Sequence, residues 1–362
     1  MKSNNSTLNS QLLTLNPLEP IIKSIITQQG AISVAAFMTL VLQHPEYGYY
    51  TKGNPIGRTG DFITSPEISQ LFGEIVGVWC VDAWKRLGEP ERFALLELGA
   101  GSGIMMSDII RVTQKVSGFT NGMNVFILES NQILRGKQKE NISIQYSYLE
   151  SLSEFLSDMP LIIVTNEFFD NMPIRQFEKT FHGWEERMVD VENDMLVFKL
   201  RPISSVEQNL IPVEMRDSVP GTVFEFSPVS QTIMKEASEI IVKNKGAMLV
   251  IDYGYKETID CSTLQAISKH EGASILDNPG LVDVSAHVDF RALARVSESF
   301  GAKVQFLCIQ KEFLENFGIS LRADRLKLHV DEKQKHQIDI ALNRLLSDDE
   351  MGSTFKVLSL AS

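Results

Sequence analysis

The chain has 362 residues, 43% hydrophobic and 22% charged, with a formal net charge of −12. That balance is globular, with room for one large domain or two. The negative charge argues against nonspecific nucleic-acid binding, which depends on neutralising phosphates with Lys and Arg. Cys80, Cys261 and Cys308 are scattered without a C-x-x-C pair, and the six histidines are dispersed. Neither a disulfide framework nor a metal site is expected, and a reducing compartment is the simplest setting.

Near the start, the longest apolar stretch, Ile32–Leu42, is too short to span a bilayer. No Arg-rich presequence or secretory apolar region is visible, so the chain reads as soluble, with no membrane insertion. "PLEPIIKSIITQQG" puts Ile21, Ile22, Ile25 and Ile26 at helical spacing, with Gly30 as the C-cap. Ser33 is placed to cap a second helix, "VAAFMTLVLQH", ended by Pro45. "GRTGDFITSPEIS" reads as a loop, and 66–87 as a helix opened by Ser65-Pro66-Glu67.

A β-α-β alternation then begins. Strands are predicted over Phe93–Leu98, Asn124–Glu129, Ile142–Tyr146 and Leu161–Asn166, with helices over Ile104–Val116 and Gln132–Asn141 between them. Strands over 246–254, 302–310 and 354–362 follow, with a helix at about Glu332–Leu346 before the last. Such alternation argues for a parallel sheet with helices on both faces. "IRQFEKTFHGWEERMVDVENDMLVFKL" interrupts it with apolar-polar alternation and turns at "HG" and "ND", which reads as an inserted antiparallel hairpin or meander.

"LLELGAGSG" (95–103) ends an apolar strand in three alternate glycines, Gly99, Gly101 and Gly103, just before a helix. Glycine there permits positive φ or removes a Cβ where a ligand meets the main chain. The dinucleotide fingerprint needs a glycine at 104, where this chain has Ile104. The E-x-G-x-G-x-G pattern starting at Glu97 is similar to the first motif of class I S-adenosylmethionine-dependent methyltransferases, in which the helix N-terminus favours the ligand's carboxylate. A nucleotide is the alternative ligand. Glu129, at the end of the second strand, is placed either to accept hydrogen bonds from ribose hydroxyls or to stand as a solvated strand-end acid. In "TNEFFDNMPIRQF" (165–177), Asn166, Glu167 and Asp170 follow the fourth strand, whose carboxyl end faces the ligand crevice of an open α/β sheet. Carboxylates there can orient a guanidinium, bias its charge and receive its proton. Helix capping or an ion pair with Arg175 is the structural alternative.

These segments, with "HPEYGYY" (44–50), "GDFITSPEISQLFGEIVG" (60–77), "FEFSP" (224–228), "LVIDYGY" (249–255) and "VDVSAHVDF" (282–290), closely resemble the mitochondrial dysfunction protein A family. Its members are the proteobacterial and mitochondrial relatives of the complex I assembly arginine methyltransferase. The matches run in order over about residues 30–362. Where the family often reads G-P-G-R-G this chain has "GAGSG", keeping the glycines and placing Ser102 at the arginine's position.

The resemblance implies an α/β fold: a class I S-adenosylmethionine-dependent methyltransferase with a Rossmann-like seven-stranded sheet, an N-terminal helical segment and an inserted β/helical cap. The expected division is 1–92 for the helical segment and cofactor-closing loop, and 93–362 for the methyltransferase domain with insertions at about 174–245 and 256–300. It implies S-adenosyl-L-methionine as cofactor and symmetric dimethylation of a protein arginine in the 49-kDa-type subunit of NADH:ubiquinone oxidoreductase during complex I assembly. An assembly chaperone that binds S-adenosylmethionine without transfer, and a small-molecule methyltransferase, are the alternatives. The cofactor contacts carried over are Glu97, Gly99, Gly101, Gly103, Glu129, Gly60, Asp61 and Ser65. On the reactive side stand Glu167, Asp170 and Asn166, with His287 as a base or orienter or else a structural residue. Ser285 or Asp289 is placed to cap the helix that follows, and Tyr47, Tyr49 and Tyr50 either line a substrate channel or pack in a core. The partner implied is the protein substrate, with a homodimer left open. The compartment is the cytoplasm in a bacterium or the mitochondrial matrix in a eukaryote.

Overall fold

Seven strands carry the observed sheet: β1 (Phe93–Leu98), β2 (Met123–Leu128), β3 (Tyr146–Leu149), β4 (Leu161–Asn166), β5 (Ala247–Tyr255), β6 (Lys303–Ile309) and β7 (Phe355–Ala361). The computed structural model describes residues 16–52, 64–268 and 271–362. In space the strands run β6-β7-β5-β4-β1-β2-β3. All pairings are parallel except those of β7, which lies antiparallel between β5 and β6. This is the expected seven-stranded order, and the two-residue strand Val288–Asp289 adds to it by pairing parallel with the end of β5. The strand order reverses between β1 and β4, which opens a crevice at their carboxyl ends.

Period-2 alternation sorts the strand residues onto two faces. Leu95, Ile162, Val164, Leu249, Ile251 and Val357 join Trp79, Phe72, Met106, Phe313 and Leu345 in one apolar cluster. Leu96, Ile163, Met248, Val250 and Leu358 face the other way, onto Met234, Ile241, Phe290 and Leu293. Both faces being covered explains why β1 and β4 are buried along their whole length.

The helix predicted over 66–87 is two helices, Ser65–Ile68 and Gln70–Arg86. Ser69 breaks it with extended backbone (φ −160°, ψ 137°) and accepts the Leu71 N–H on its hydroxyl. A strand predicted over Ile142–Tyr146 lies instead at Tyr146–Leu149. Ile142 is the C-cap of helix Gln132–Asn141, its N–H donating to the Gln138 carbonyl, and it packs in the first cluster. Gly30 (φ 86°) and Ser33 cap helices Leu18–Gln29 and Val34–Gln43 as the sequence suggests.

Two compact units share the chain. One contains the described residues from 64 to 172, Pro228–Ile259 and Ala286–Ser362, and holds the seven-stranded sheet. The other takes the described residues up to 52, Pro173–Ser227 and Asp260–Ser285. Its principal sheet contains the antiparallel strands Arg175–Thr180, Gly183–Glu192, Met195–Pro202 and Val223–Phe226, the interrupted meander of the sequence, around Phe177, Trp184, Ile211 and Met215. Asn193 and Asp194 turn the longest hairpin with φ of 50° and 62°, the left-handed pair that matches strand twist. These units divide the chain differently from the expected boundary at 92/93: helix Gln70–Arg86 buries Leu71, Phe72, Ile75, Val76 and Trp79 in the sheet's own core. Among the described residues no helix is long and apolar enough to cross a membrane, and no group of three or more His, Cys, Asp or Glu is placed to hold a metal.

Candidate active site

The crevice at the strand-order reversal is built almost wholly from residues next to β1 and β4. A cleft of about 380 Å³, solvent-filled mouth included, is lined by Thr64, Pro66, Glu97, the 99–102 turn, Ile104, Met105, Asn166 and Glu167.

The glycine turn is left-handed at each of its glycines: φ is 67° at Gly99, 54° at Gly101 and 81° at Gly103. Two of them have a packing reason as well. A Cβ on Gly99 would sit 2.6 Å from Cδ2 of Phe168, and one on Gly103 would sit 3.1 Å from both Gln138 Cγ and Ile142 Cδ1. Thus the glycines at 99 and 103 make room for the protein's own side chains. The turn is also pinned from outside: Gln138 Nε2 donates to the Gly101 carbonyl at 2.7 Å and Asn141 Nδ2 to that of Ser102 at 2.9 Å. Ser102 itself donates to Glu67 at 3.2 Å, tying the turn to helix Ser65–Ile68.

Four acids stand in this region: Glu97, Glu129 and Asp252 are buried, and Glu167 is half-buried. Glu97 is 2% exposed, and its Oε2 has no hydrogen-bond partner among the described residues. Burial, and then the charge of Glu129, push its carboxyl well above the usual range. Glu129 closes onto the turn: Oε2 accepts the Gly101 N–H at 3.2 Å and Oε1 the Asn131 N–H at 2.9 Å. Burial raises its pKa against those donors. Glu129 does not line the cleft, and in this geometry it shapes the turn that does.

Glu167 follows β4 with φ 50°, a left-handed conformation that costs a glutamate about 1–3 kcal/mol and persists only when its surroundings impose it. Its N–H donates to the Ile251 carbonyl at 3.0 Å. Its Oε1 accepts the Ser65 N–H and Asn166 Nδ2, both at 2.9 Å. Oε2 takes neither bond. Removal from water is the largest influence on its carboxyl and raises its pKa.

Asp252, which the sequence reading missed, is the fourth acid. It lies at the carboxyl end of β5, fully buried, and accepts the N–H groups of Phe168 (3.0 Å) and Phe169 (2.9 Å) on Oδ2 and of Tyr253 (2.9 Å) on Oδ1. Burial, reinforced by the charge of Glu167, pushes it up to about 8 against those three donors. Only the acid in "LVIDYGY", at a predicted strand's end, signalled it.

The structure therefore brings together Glu97, Gly99, Gly101, Asn166, Glu167 and the Ser65 backbone. Asn166 is buried with its Oδ1 unpartnered among the described residues. Gly103 and Glu129 support the turn from behind. Asp170 and His287 do not line the cleft. They belong to neighbouring segments, joined by an Ala286 N–H bond to the Asp170 carbonyl at 2.9 Å, and the His287 ring packs edge-on against Tyr253 with centroids 5.3 Å apart. Asp289, not Ser285, caps helix Phe290–Ser299, accepting the Ala292 N–H. Arg175 makes its ion pairs with Glu186 and Glu207. Tyr49 is buried edge-on to Tyr50, whose hydroxyl donates to Asp283 at 3.3 Å, while Tyr47 stacks on His44. Gly60 and Asp61 lie outside the described residues.

Comparison with known proteins gives the family. Residues 75–308 match the family described as "Putative S-adenosyl-L-methionine-dependent methyltransferase". The mitochondrial protein arginine methyltransferase NDUFAF7 of Homo sapiens is 33% identical over 380 residues, covering 95% of this chain and 84% of the human protein. That of Danio rerio is 31% identical over 369 residues, covering 93% and 85%. A crystal structure from Burkholderia thailandensis, bound to S-adenosyl-homocysteine, superposes with a TM-score of 0.84 at 24% identity over 100% of this chain and 95% of that one. The fold is thus that of a class I methyltransferase. The match to the family, together with relatives above 30% identity along nearly the whole chain, makes this chain a member of the S-adenosyl-L-methionine-dependent methyltransferase family that includes the NDUFAF7 proteins.

Proposed function

We propose that this methyltransferase acts on a protein arginine. The relatives named above are protein arginine methyltransferases. The observation that carries the reading is Glu167: a carboxylate at the cleft wall, held left-handed, with one oxygen committed to Ser65 and Asn166 and the other not engaged by them.

The residues present fit the family's cofactor. The Gly99–Gly103 turn supplies backbone that a ligand can approach, and Glu97 Oε2 and Asn166 Oδ1 are buried acceptors awaiting donors such as an ammonium or hydroxyl group. Glu97, the turn and the start of helix Ile104–Thr113 would hold the amino-acid part, and Glu129 would serve the cofactor through the turn whose Gly101 N–H it accepts. When bound, S-adenosylmethionine supplies an electrophilic sulfonium methyl.

Glu167 orients the planar guanidinium through Oε2, with Asn166 beside it and Asp170 on the same turn as a further acid. A carboxyl whose pKa is raised by burial accepts a proton more readily than a solvated one, so Glu167 Oε2 receives the proton that the methylated nitrogen loses. His287, against Tyr253, is an orienter of this region rather than a base in contact with substrate. The substrate we propose is the 49-kDa-type subunit of NADH:ubiquinone oxidoreductase, carrying symmetric dimethylarginine during complex I assembly. The setting is the bacterial cytoplasm or the mitochondrial matrix, according to source.

Glu167→Gln tests this. Gln keeps Oε1 as acceptor for Ser65 and Asn166, so cofactor affinity by calorimetry should stay within about twofold. Single-turnover transfer to the subunit should fall by about 100-fold or more. A subunit with lysine replacing the target arginine should be a poor acceptor. Full transfer by Glu167→Gln overturns the assignment of Glu167. Absence of methylation in the co-expressed subunit by mass spectrometry favours a binding-only chaperone.

A further inference from the structure

We infer that Asp252 is a positioning residue for methyl transfer: it clamps the backbone of the Glu167-Phe168-Phe169 turn and thereby fixes where the Glu167 carboxylate points. The inference rests on the reading of Glu167 given above.

Three geometric facts carry it. Asp252 Oδ2 gathers the two successive N–H groups that follow Glu167, at 3.0 and 2.9 Å. The Glu167 N–H is taken by Ile251, the residue before Asp252 on the same strand. β4 and β5 run parallel with Asn166 opposite Ile251, so the last rung of that ladder continues without a break into these side-chain-to-backbone bonds. Three consecutive N–H groups, from 167 to 169, are thus anchored to the end of β5. A left-handed glutamate needs such an anchorage, because nothing in its own conformational preference would keep it there. Asp252 does not itself line the cleft, so it acts through the turn.

The charged and titratable groups around the pair are few. Lys356 lies opposite Asp252 on β7, but its amine turns to the Ser353 and Thr354 carbonyls. Arg344 reaches Glu167 only as a charge that lowers its pKa, and His287 packs edge-on against the neighbouring Tyr253. Asp252 therefore feels the charge of Glu167, which adds to burial in raising its pKa.

The experiment is a double-mutant cycle of Asp252→Asn and Glu167→Gln in the full chain, read by single-turnover transfer across pH 6–9.5 beside cofactor titration. Asn can offer one oxygen to Phe168 and Phe169 but then turns its amide group toward the Tyr253 N–H. Asp252→Asn should slow transfer about tenfold or more, the scale of leaving one buried N–H without its acceptor. Cofactor affinity should stay within about twofold. The wild-type rate should inflect near pH 8, and the variant should lose that inflection. The double variant should be no slower than Glu167→Gln alone, since a residue acting through another adds nothing once the other is gone. Additive losses, or an unchanged inflection in Asp252→Asn, overturn the inference. So does loss of cofactor binding in Asp252→Asn, which would mean that Asp252 holds the sheet rather than the turn. If Glu167→Gln is fully active, the reading of Glu167 has failed; if only Asp252→Asn is, this inference alone has failed.

Discussion

Replacing Gly99 by alanine separates packing from ligand binding as the reason for that glycine. With φ at 67°, any L-residue there pays about 1–2 kcal/mol for left-handed backbone. The new Cβ would also lie 2.6 Å from Cδ2 of Phe168, closer than side-chain carbons approach, so the ring must move. Overpacking of this kind costs about 1–3 kcal/mol. Together, Gly99→Ala should destabilise the protein by about 2–5 kcal/mol, lowering the melting temperature of a chain this size by about 3–7 °C. Gly136 supplies the control. It sits in helix Gln132–Asn141 with nothing within 4 Å of a built Cβ, so Gly136→Ala should stabilise by about 0.5–1 kcal/mol. Thermal melts with and without S-adenosyl-homocysteine read both effects. A Gly99→Ala protein as stable as wild type without ligand would refute the packing argument and return Gly99 to service of the ligand alone.

Glu129→Ala strips the Gly101 and Asn131 N–H groups of their acceptor. Cofactor affinity should weaken by about 1.5–3 kcal/mol, which calorimetry reads directly. The buried acids also set a pH dependence. Glu97, Asp108, Glu129, Glu167 and Asp252 all have raised pKa values, with Asp108 at about 6 and Asp252 at about 8, burial being the largest cause in each. In the window between unfolded and folded pKa the folded chain holds more protons than the unfolded one. Their stabilising share is therefore complete below about pH 4 and is lost as pH rises through the folded values. Denaturant titrations at pH 5, 6.5 and 8 should give falling stability from these groups, and Asp108→Asn should flatten the pH 5 to 6.5 step.

Much of the sheet could be read directly. β1, β4 and helix Gln132–Asn141 begin and end where apolar runs and polar periodicity place them, since both faces of the strands are buried and the helix has one apolar stripe. The shift of β3 has a local cause: Ile142 and Ile144 alternate like a strand, yet Ile142 is drawn under the glycine turn against Gly103. The break at Ser69 had a signal in its capping hydroxyl, which Ser65-Pro66-Glu67 outweighed. At the site, the acids of β1, β2 and β4 were visible because each ends a strand. The contact of Phe168 with Gly99 and the Asp252 clamp were not visible. Both depend on β4 lying between β1 and β5, a neighbourhood that hydrophobic period does not encode. The sequence reading took the glycines as space for a ligand, whereas Gly99 and Gly103 also admit Phe168, Gln138 and Ile142.

The way the two units share the chain bears on how the protein can be made and cut. Each is assembled from three separated stretches, so the polypeptide passes from one to the other five times. No single truncation yields either unit with all its strands. During synthesis, β1 to β4 emerge before Pro173–Ser227, but β5, β6 and β7 come only afterwards. The nascent sheet therefore presents an unpaired β4 edge, with its row of open backbone groups, until residues beyond 247 leave the ribosome. Chaperone dependence of expression, and nicking between 173 and 227 in stalled chains, are the biosynthetic marks such an interleaved path should leave.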